Sequence, residues 1–364
     1  MLKINKSTKV FVPCLAGAVT GGAELLHQVV DVINRHGGNA YIVYFGTFPH
    51  ELPSDYSKYD IKFATKIEDS KDNVALIYEG YFKEAFHIKN AQIVLWWLSV
   101  DNYFLCNRLT IPELINYKQS NFPTKIGKKA TIKTFILDIL KPKDSVSIAK
   151  LKKYNIVCNC YQSEYARDFL EAKGVKEVYS LKDFINDDNF SYVHQPEAKQ
   201  NIVVYNPKKG FAFTKKLIAA DSSIKWVPII NLPRKGVIEL IRSAKVYVDF
   251  GYHPGKDRLP REAATNGCCI ITGKEGSAGF KDIDIPLKYK HNQQDSDIPE
   301  IIAQIHELLD NYEERYADFQ HYRDCIKAEK QEFIDDTVKL FQLSNDEVVS
   351  HLGGAKTNYT RSMS

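Results

Sequence analysis

The sequence lacks any long hydrophobic run. Its longest apolar stretches, such as residues 93–98, are far shorter than the roughly 20 residues that span a bilayer. The lysine-containing start, residues 1–7, is not followed by the apolar segment and small-residue cleavage site of a secretion signal. We therefore expect a cytoplasmic protein rather than a membrane-spanning or secreted one.

The sequence also lacks the cysteine spacing of a metal site. Its seven cysteines, an odd number, stand at positions 14, 106, 158, 160, 268, 269 and 325. Cys158 and Cys160, like Cys268 and Cys269, fall within apolar, strand-like runs. An odd count without a secretion signal indicates reduced thiols, and we expect them to be buried structural residues.

No repeat of fixed period is present, which argues against a solenoid or propeller. The chain of 364 residues is too long for one ordinary core and suits two domains. Its 44% hydrophobic and 26% charged residues are typical of a globular protein, and 12% aromatic residues exclude disorder as the main state. A net charge of +4 does not by itself indicate a nucleic-acid partner.

Apolar β-type runs alternate with amphipathic helical patterns, which predicts parallel sheets with crossover helices. Helices are predicted at 23–34, 214–220, 235–243 and 260–266, and 297–345 is strongly helical. Strands are predicted at 10–13, 40–45, 74–78, 93–98 and 156–160, and then at 201–205, 225–230, 246–250 and 268–272. The polar stretch 186–189 separates the two series, so we expect two α/β halves around a ligand-binding cleft.

The glycine-containing segment 17–24 lies between the first strand and the first helix. It lacks the G-x-G-x-x-G spacing of a dinucleotide fingerprint and the lysine of a phosphate-binding P-loop. Gly21 and Gly22 would let an anionic ligand approach the positive end of a helix, although a simple tight turn explains the same spacing.

Two segments of the second half carry charge directly after a strand. Lys209 and Gly210 follow the strand at 201–205, where a lysine could reach a diphosphate or simply sit in a solvated turn.

The segment 248–264 is the most specific. Its anion-binding candidates are a histidine, a glycine, a lysine and two arginines: His253, Gly255, Lys256, Arg258 and Arg261. Glu262 follows as a candidate acceptor of ribose hydroxyls; an ordinary capped helix with an ion network is the alternative.

These segments, taken in order, resemble the GT-B glycosyltransferases, closest to a divergent branch of the family-4-like enzymes that use nucleotide sugars. The resemblance runs through the glycine loop 21–24, the segment 162–165, the Lys-Gly pair at 209–210, the helix 260–267 and the small-residue loop 273–279. It implies two Rossmann-like domains facing a central cleft, with C-terminal helices packing back on the first domain. We place the boundaries at 1–183 for the acceptor domain, 184–330 for the nucleotide-sugar domain and 331–364 for a returning helix and tail.

The resemblance also implies roles for single residues. Glu262 matches the glutamate that binds the nucleotide ribose, and Lys209 matches the diphosphate-binding lysine. Residues 228–231 would line the base pocket. The family's first glutamate is missing, because Pro254 stands eight residues before Glu262. His253 or Asp257 is the candidate replacement, and retention of the anomeric configuration is slightly favoured over inversion.

Asp101 and Glu79 are candidates for general acid/base chemistry, with Asp257 as the third. Both follow strands of the first half, where loops line the cleft. A helix cap or turn is the structural alternative for Asp101. Asp282 and Asp284 have the D-x-D spacing of GT-A metal sites but stand too late in the chain, so we expect no bound metal and no cofactor for the reaction.

The stretch 115–155 is rich in lysine with interleaved apolar residues. Such a surface suits peripheral contact with an anionic membrane, and an ordinary solvated lysine face is the alternative. No helix-turn-helix or aromatic platform accompanies the charge, so nucleic acid is not an expected partner.

The sequence therefore predicts a cytoplasmic glycosyltransferase, at the inner face of the membrane if the lysine stretch binds lipid. It would move a sugar from a nucleotide-sugar donor to a glycan or lipid-linked acceptor, in bacterial surface polysaccharide (lipopolysaccharide or capsule) assembly. A phosphorylase- or epimerase-like enzyme and a non-catalytic binding protein of the same fold are the alternatives.

Overall fold

The structure is a computed structural model that describes residues 2–106 and 146–345. Its first sheet has seven strands in the order β3-β2-β1-β4-β5-β6-β7, and every neighbouring pair is parallel. The strands are β1 (Val10–Leu15), β2 (Ala40–Phe45), β3 (Lys62–Phe63), β4 (Val74–Tyr78), β5 (Gln92–Trp97), β6 (Ile156–Tyr161) and β7 (Val178–Ser180).

The second sheet has five parallel strands in the order β12-β11-β10-β8-β9. They are β8 (Gln200–Tyr205), β9 (Trp226–Pro228), β10 (Ala244–Asp249), β11 (Cys269–Gly273) and β12 (Lys290–His291). Two parallel sheets with crossover helices confirm the predicted α/β class and its division into two halves.

Helices connect the strands and close the chain. In the first half they are α1 (Gly21–Arg35), α2 (Val100–Cys106), α3 (Ile148–Leu151) and α4 (Glu164–Ala172). In the second half they are α5 (Phe211–Ala220), α6 (Arg234–Ser243), α7 (Arg258–Thr265), α8 (Ile298–Asp310), α9 (Tyr312–Tyr316) and α10 (Gln320–Leu340).

The clearest hydrophobic patterns of the sequence correspond to the central strands and helices. Every residue of β5 is buried, as expected for a parallel strand covered on both faces. The α1 helix begins where the Thr20 hydroxyl accepts a hydrogen bond from the Ala23 amide. The prediction missed the short edge strands β3, β7 and β12, and it made β9 too long. Strands of two or three residues are too short to show a hydrophobic period.

The last helix, α10, belongs to both halves. Tyr322 and Ile326 pack in the core of the second sheet, whereas Phe333 and Phe341 pack in the core of the first. The helix therefore crosses between the two domains, which confirms the predicted packing of the C-terminal helices on the first domain.

A buried ion cluster joins the domains where α10 crosses. Arg261 of α7 has no exposed surface, and it pairs with Asp183 at 2.8 Å and with Glu329 of α10 at 2.7 Å. Lys256 contacts the same Glu329 at 2.8 Å. Because a buried guanidinium needs its carboxylate partners, this cluster fixes α7 against both the first domain and α10.

A second contact between the domains caps a helix. The Asp282 carboxylate accepts hydrogen bonds from the Glu164 and Tyr165 amides at 2.9 and 3.1 Å, at the first turn of α4. Asp282 of the second domain thus caps a helix of the first.

No helix among residues 2–106 and 146–345 is long and apolar enough to cross a membrane. Most of the predicted lysine-rich stretch lies outside the described residues; of its described part, Lys152 and Lys153 are exposed. All seven cysteines are free thiols, and five are buried. The expectation of burial is wrong for Cys106, which is exposed, and Cys325 is half-buried.

The buried ion cluster predicts that loss of Arg261 destabilises the protein. Arg261→Ala should lower the free energy of unfolding by about 3–5 kcal/mol, because it removes the cation that pairs with the buried Asp183 and leaves Lys256 as the remaining partner of Glu329. Urea unfolding followed by circular dichroism measures the change. Arg167→Ala is the matched control: it removes surface ion pairs and should cost about 1 kcal/mol or less. Equal losses for the two variants would contradict the assignment.

Candidate functional site

The cleft between the two domains holds two connected cavities. The first, of about 570 Å³, is lined by the start of α1, by the residues that follow β4 and β5, and by the loop before α7. The second, of about 940 Å³, shares Thr20, Gly21 and Arg258 with the first and extends to Arg234 and Glu262. Both lie where the carboxyl ends of parallel strands meet, the usual ligand position in open α/β sheets.

Gly21 and Gly22 form the wall contributed by α1. The Gly21 carbonyl accepts a hydrogen bond from Arg258 at 3.2 Å, and a Cβ at this glycine would lie 3.1 Å from the Arg258 Nε. Both glycines line the first cavity at the positive end of a 15-residue helix. The predicted glycine loop therefore faces the second domain across the cleft.

Gly255 brings the loop before α7 into direct contact with the first domain. A Cβ at this position would lie 2.4 Å from the Leu98 carbonyl oxygen and 2.8 Å from the Gln162 Oε1. The same Gln162 oxygen accepts a hydrogen bond from the Lys256 amide. Glycine is required because two backbones meet here without room for a side chain.

A hydrogen-bonded chain of charged groups lies behind this loop. Lys209 Nζ is 2.6 Å from the Asp257 Oδ2, and His253 Nδ1 is 2.9 Å from the same oxygen. The far ring nitrogen of His253 lies 3.8 Å from Asp249. Burial acts to lower the pKa of His253, but the Asp249 charge and the Asp257 hydrogen bond together raise it. The histidine is thus held between two carboxylates.

Asp257 is a stable anion in this arrangement. Burial alone would raise its pKa, but the hydrogen bond from His253 and the charges of His253 and Lys209 lower it to about 2. A carboxylate with that pKa does not transfer protons near neutral pH. The structure therefore favours Asp257 as the residue that positions Lys209 over its predicted catalytic role.

The pKa of Asp101, at the start of α2, is shifted in the opposite direction to that of Asp257. Burial raises its pKa to about 7, against the lowering effects of a hydrogen bond from the Tyr252 hydroxyl and the Lys209 charge. The Tyr252 hydroxyl also contacts the Tyr165 hydroxyl at 2.7 Å. Only 8% of Asp101 is exposed, and its Oδ1 has no hydrogen-bond partner among residues 2–106 and 146–345. The pKa suits a group that exchanges a proton near neutral pH.

Glu79 lines the first cavity, and its hydrogen bonds fix the start of α2. Its carboxylate accepts a hydrogen bond from the Leu98 amide at 2.9 Å, and Ser99 and Asn102 bond to it at the start of α2. Burial raises its pKa to about 7 despite these bonds. Glu79 therefore sets the position of α2, and with it that of Asp101.

Two ion pairs line the larger cavity. In each pair the sequence predicted one partner as a site residue, Arg258 or Glu262, but not the other. Arg258 pairs with Glu24 of α1 at 2.5 Å, and the Arg258 charge helps to lower the Glu24 pKa to about 2 against the effect of burial. Glu262, with 4% exposure, accepts two 2.6 Å hydrogen bonds from Arg234. The position of Glu24 in the first turn of α1 was a signal in the sequence, whereas Arg234, 28 residues before Glu262, gave none.

Three predicted donor-binding residues do not face the cleft with their side chains, and the structure corrects them. Arg261 is fully buried in the Asp183–Glu329 cluster. The Lys256 ammonium also contacts Glu329, so this residue reaches the first cavity without directing its charge there. His253 is fully buried between its two carboxylates. The contacts of these three side chains hold the loop in place.

Comparison with known proteins gives structural neighbours but no sequence relatives. No protein-family model matches the chain, and no curated protein matches its sequence. The solved structures it resembles include sucrose-phosphate synthase from Thermosynechococcus elongatus, at TM-score 0.59 and 12% identity, covering 92% of this chain and 98% of that one.

Two further neighbours are Anabaena HepE and WaaG. HepE, solved in complex with UDP, has TM-score 0.53 and 11% identity over 92% of this chain and 97% of its own. WaaG, a glycosyltransferase involved in lipopolysaccharide biosynthesis, has TM-score 0.52 and 10% identity over 90% and 98%. Against TarM the chain spans just 56% of that protein's length. At these identities the likeness shows the fold, and the chain has the GT-B fold that its motifs resemble.

The close contact at Gly255 is testable. Gly255→Ala should lower the thermal midpoint by several degrees, because the new Cβ would collide with the Leu98 carbonyl and force the two domains apart. Differential scanning calorimetry measures the shift. Gly236→Ala is the control: its Cβ would make ordinary contacts of 3.5–3.6 Å with Pro233 and Leu232, just before α6, and alanine is about 1 kcal/mol better than glycine in a helix. A midpoint unchanged in Gly255→Ala would refute the contact.

Proposed function

We propose that this chain is a glycosyltransferase that moves a sugar from a nucleotide-sugar donor to a glycan or lipid-linked acceptor. The observation that carries the proposal is the convergence of Gly21, Arg258, Arg234 and Glu262 on one cavity between the two domains. A nucleotide sugar offers two phosphates and a ribose diol. A helix end and guanidinium groups suit the phosphates, and a carboxylate suits the diol.

The diphosphate would be bound between the domains. The first turn of α1 would supply backbone N–H groups at Gly21 and Gly22, and Lys209 would supply a positive charge held in place by Asp257. Arg258 would add a second charge once its pair with Glu24 rearranges. These groups would offset the charge that develops on the leaving nucleoside diphosphate, so we propose that transfer needs no metal or other cofactor.

Glu262 would recognise the nucleotide ribose, as the family resemblance implies. Its two oxygens now accept hydrogen bonds from Arg234, which occupies the position that the diol would take. Ligand entry would therefore exchange one pair of hydrogen bonds for another. Arg234 would remain beside the ligand as a contact to ribose or phosphate.

Two of the structural neighbours support the substrate class. HepE was solved with UDP and with UDP and glucose, and WaaG is described as acting in lipopolysaccharide biosynthesis. We propose a bacterial surface polysaccharide as the product and a cytoplasmic location at the inner face of the membrane. The lysine-rich stretch 115–155 would provide the membrane contact.

Nucleotide binding provides the first test. Isothermal titration of wild-type protein with a panel of nucleoside diphosphates should give binding to at least one, and Lys209→Ala and Glu262→Gln should each weaken it by about tenfold or more. Lys216→Ala is the control, because this exposed lysine pairs with Asp295 away from the cleft. Failure of wild type to bind any nucleoside diphosphate would refute the proposal.

The role of Asp101 provides the second test. If Asp101 takes the proton of the acceptor hydroxyl, kcat/KM should fall about tenfold per pH unit below pH 7 and level off above it, since the base must be ionised and its pKa is about 7. Asp101→Asn should lower kcat about 10²–10⁴-fold with unchanged nucleotide affinity. The family resemblance favours retention, which needs no such base. A retained product and full activity in Asp101→Asn would exclude this role.

A further inference from the structure

Three side chains of types that bind metals meet outside the cleft, where α10 packs on the segment after β11. Asp284 comes from that segment, and His321 and Cys325 lie one turn apart on α10. The His321 Nε2 is 3.1 Å from the Asp284 Oδ2 and 3.6 Å from the Cys325 Sγ. One oxygen, one nitrogen and one sulfur atom thus lie within 4.8 Å of one another.

The two short distances match the edges of a zinc coordination tetrahedron. Bond lengths of about 2.0–2.1 Å to nitrogen and oxygen and about 2.3 Å to sulfur give edges of about 3.3 Å between N and O and about 3.6 Å between N and S. The oxygen and the sulfur lie within 4.8 Å of each other, and the Asp284 side chain is 35% exposed, so it can rotate to fit an ion.

A hydrogen bond from His321 to Asp284 accounts for the shorter of the two contacts and leaves the Cys325 thiol out. A single ring nitrogen can donate a proton or accept one, but not both. If the His321 Nε2 donates to Asp284, it cannot accept from the Cys325 thiol. If it accepts from the thiol, its lone pair lies against a carboxylate. A cation between the three atoms satisfies all of them.

We propose that Asp284, His321 and Cys325 bind one Zn²⁺ ion, with water as the fourth ligand. Zinc accepts exactly these three donor types, and a helical pair four residues apart presents both side chains on one face. His321 is 72% exposed, so the ion can enter from solvent. Binding forms a zinc–sulfur bond and releases the thiol proton to solvent, because the thiolate is the form that ligates zinc.

The ion would strengthen the attachment of α10. Glu329, the centre of the buried cluster with Arg261 and Lys256, lies one turn beyond Cys325 on the same helix. A metal cross-link between α10 and the Asp284 segment would hold Glu329 in place. This site is separate from the cleft, so the ion would stabilise the structure and take no part in sugar transfer.

Cobalt provides a direct readout, because a thiolate bound to Co²⁺ gives a charge-transfer absorption that other ligands do not. The experiment uses the tag-free full chain, stripped of metal and kept reduced. Titration should give one Co²⁺ per chain with this absorption, its displacement by Zn²⁺, and a Zn²⁺-dependent rise in the thermal midpoint. Cys325→Ser should abolish the absorption, and His321→Gln and Asp284→Asn should each weaken Zn²⁺ binding about tenfold or more.

Two matched controls separate this site from ordinary surface binding. His306→Gln removes a similar Asp–His pair, with Asp221 at 2.7 Å, and Cys106→Ser removes the exposed cysteine. Both should bind Zn²⁺ as wild type does. The proposal is overturned if wild type shows no thiolate–cobalt absorption, or if the signal survives in Cys325→Ser and is lost in Cys106→Ser. Nucleotide binding by the same samples is measured separately, so either result leaves the glycosyltransferase test independent.

Discussion

The burial of Arg261 is the constraint on which the rest of the structure depends. A guanidinium with no exposed surface is tolerated only when carboxylates surround it, and here they come from Asp183 and from Glu329 of α10. The first domain, the helix α7 and the last helix must therefore assemble together. Once they do, the loop before α7 is pressed against Leu98 and Gln162, and the cleft takes its shape.

Two carboxyl groups near the cleft have pKa values that are shifted in opposite directions. Asp257 is surrounded by His253 and Lys209, which keep it ionised, whereas Asp101 has lost water and gained little positive charge in exchange. Two groups of the same chemistry thereby acquire pKa values of about 2 and about 7. One can hold a cation in place and the other can exchange a proton, which is the separation of roles that acid/base sites commonly show.

The sequence predicted the central strands, the two-domain fold and the segments that line the cleft, because long apolar runs and glycine-containing loops leave a periodic signal. It could not predict which way neighbouring charged residues point. Arg261 and Glu262 are adjacent, but successive helical residues diverge by about 100°, so one enters the interior and the other faces the cavity. The partners Arg234 and Glu24 are distant in sequence and are recognised from the fold. The raised pKa of Asp101 depends on burial, which no local pattern encodes.

The path of α10 restricts how the cleft can open. Tyr322 and Ile326 anchor one end of this helix in the second core, Phe333 and Phe341 anchor the other end in the first core, and Glu329 lies between them. A continuous helix resists bending, so a helix anchored in both cores restrains relative motion of the two domains. Opening of the cleft with both anchors intact would have to bend α10 between them, where Glu329 pairs with Arg261 and Lys256. The buried ion cluster therefore lies at the pivot of any such motion.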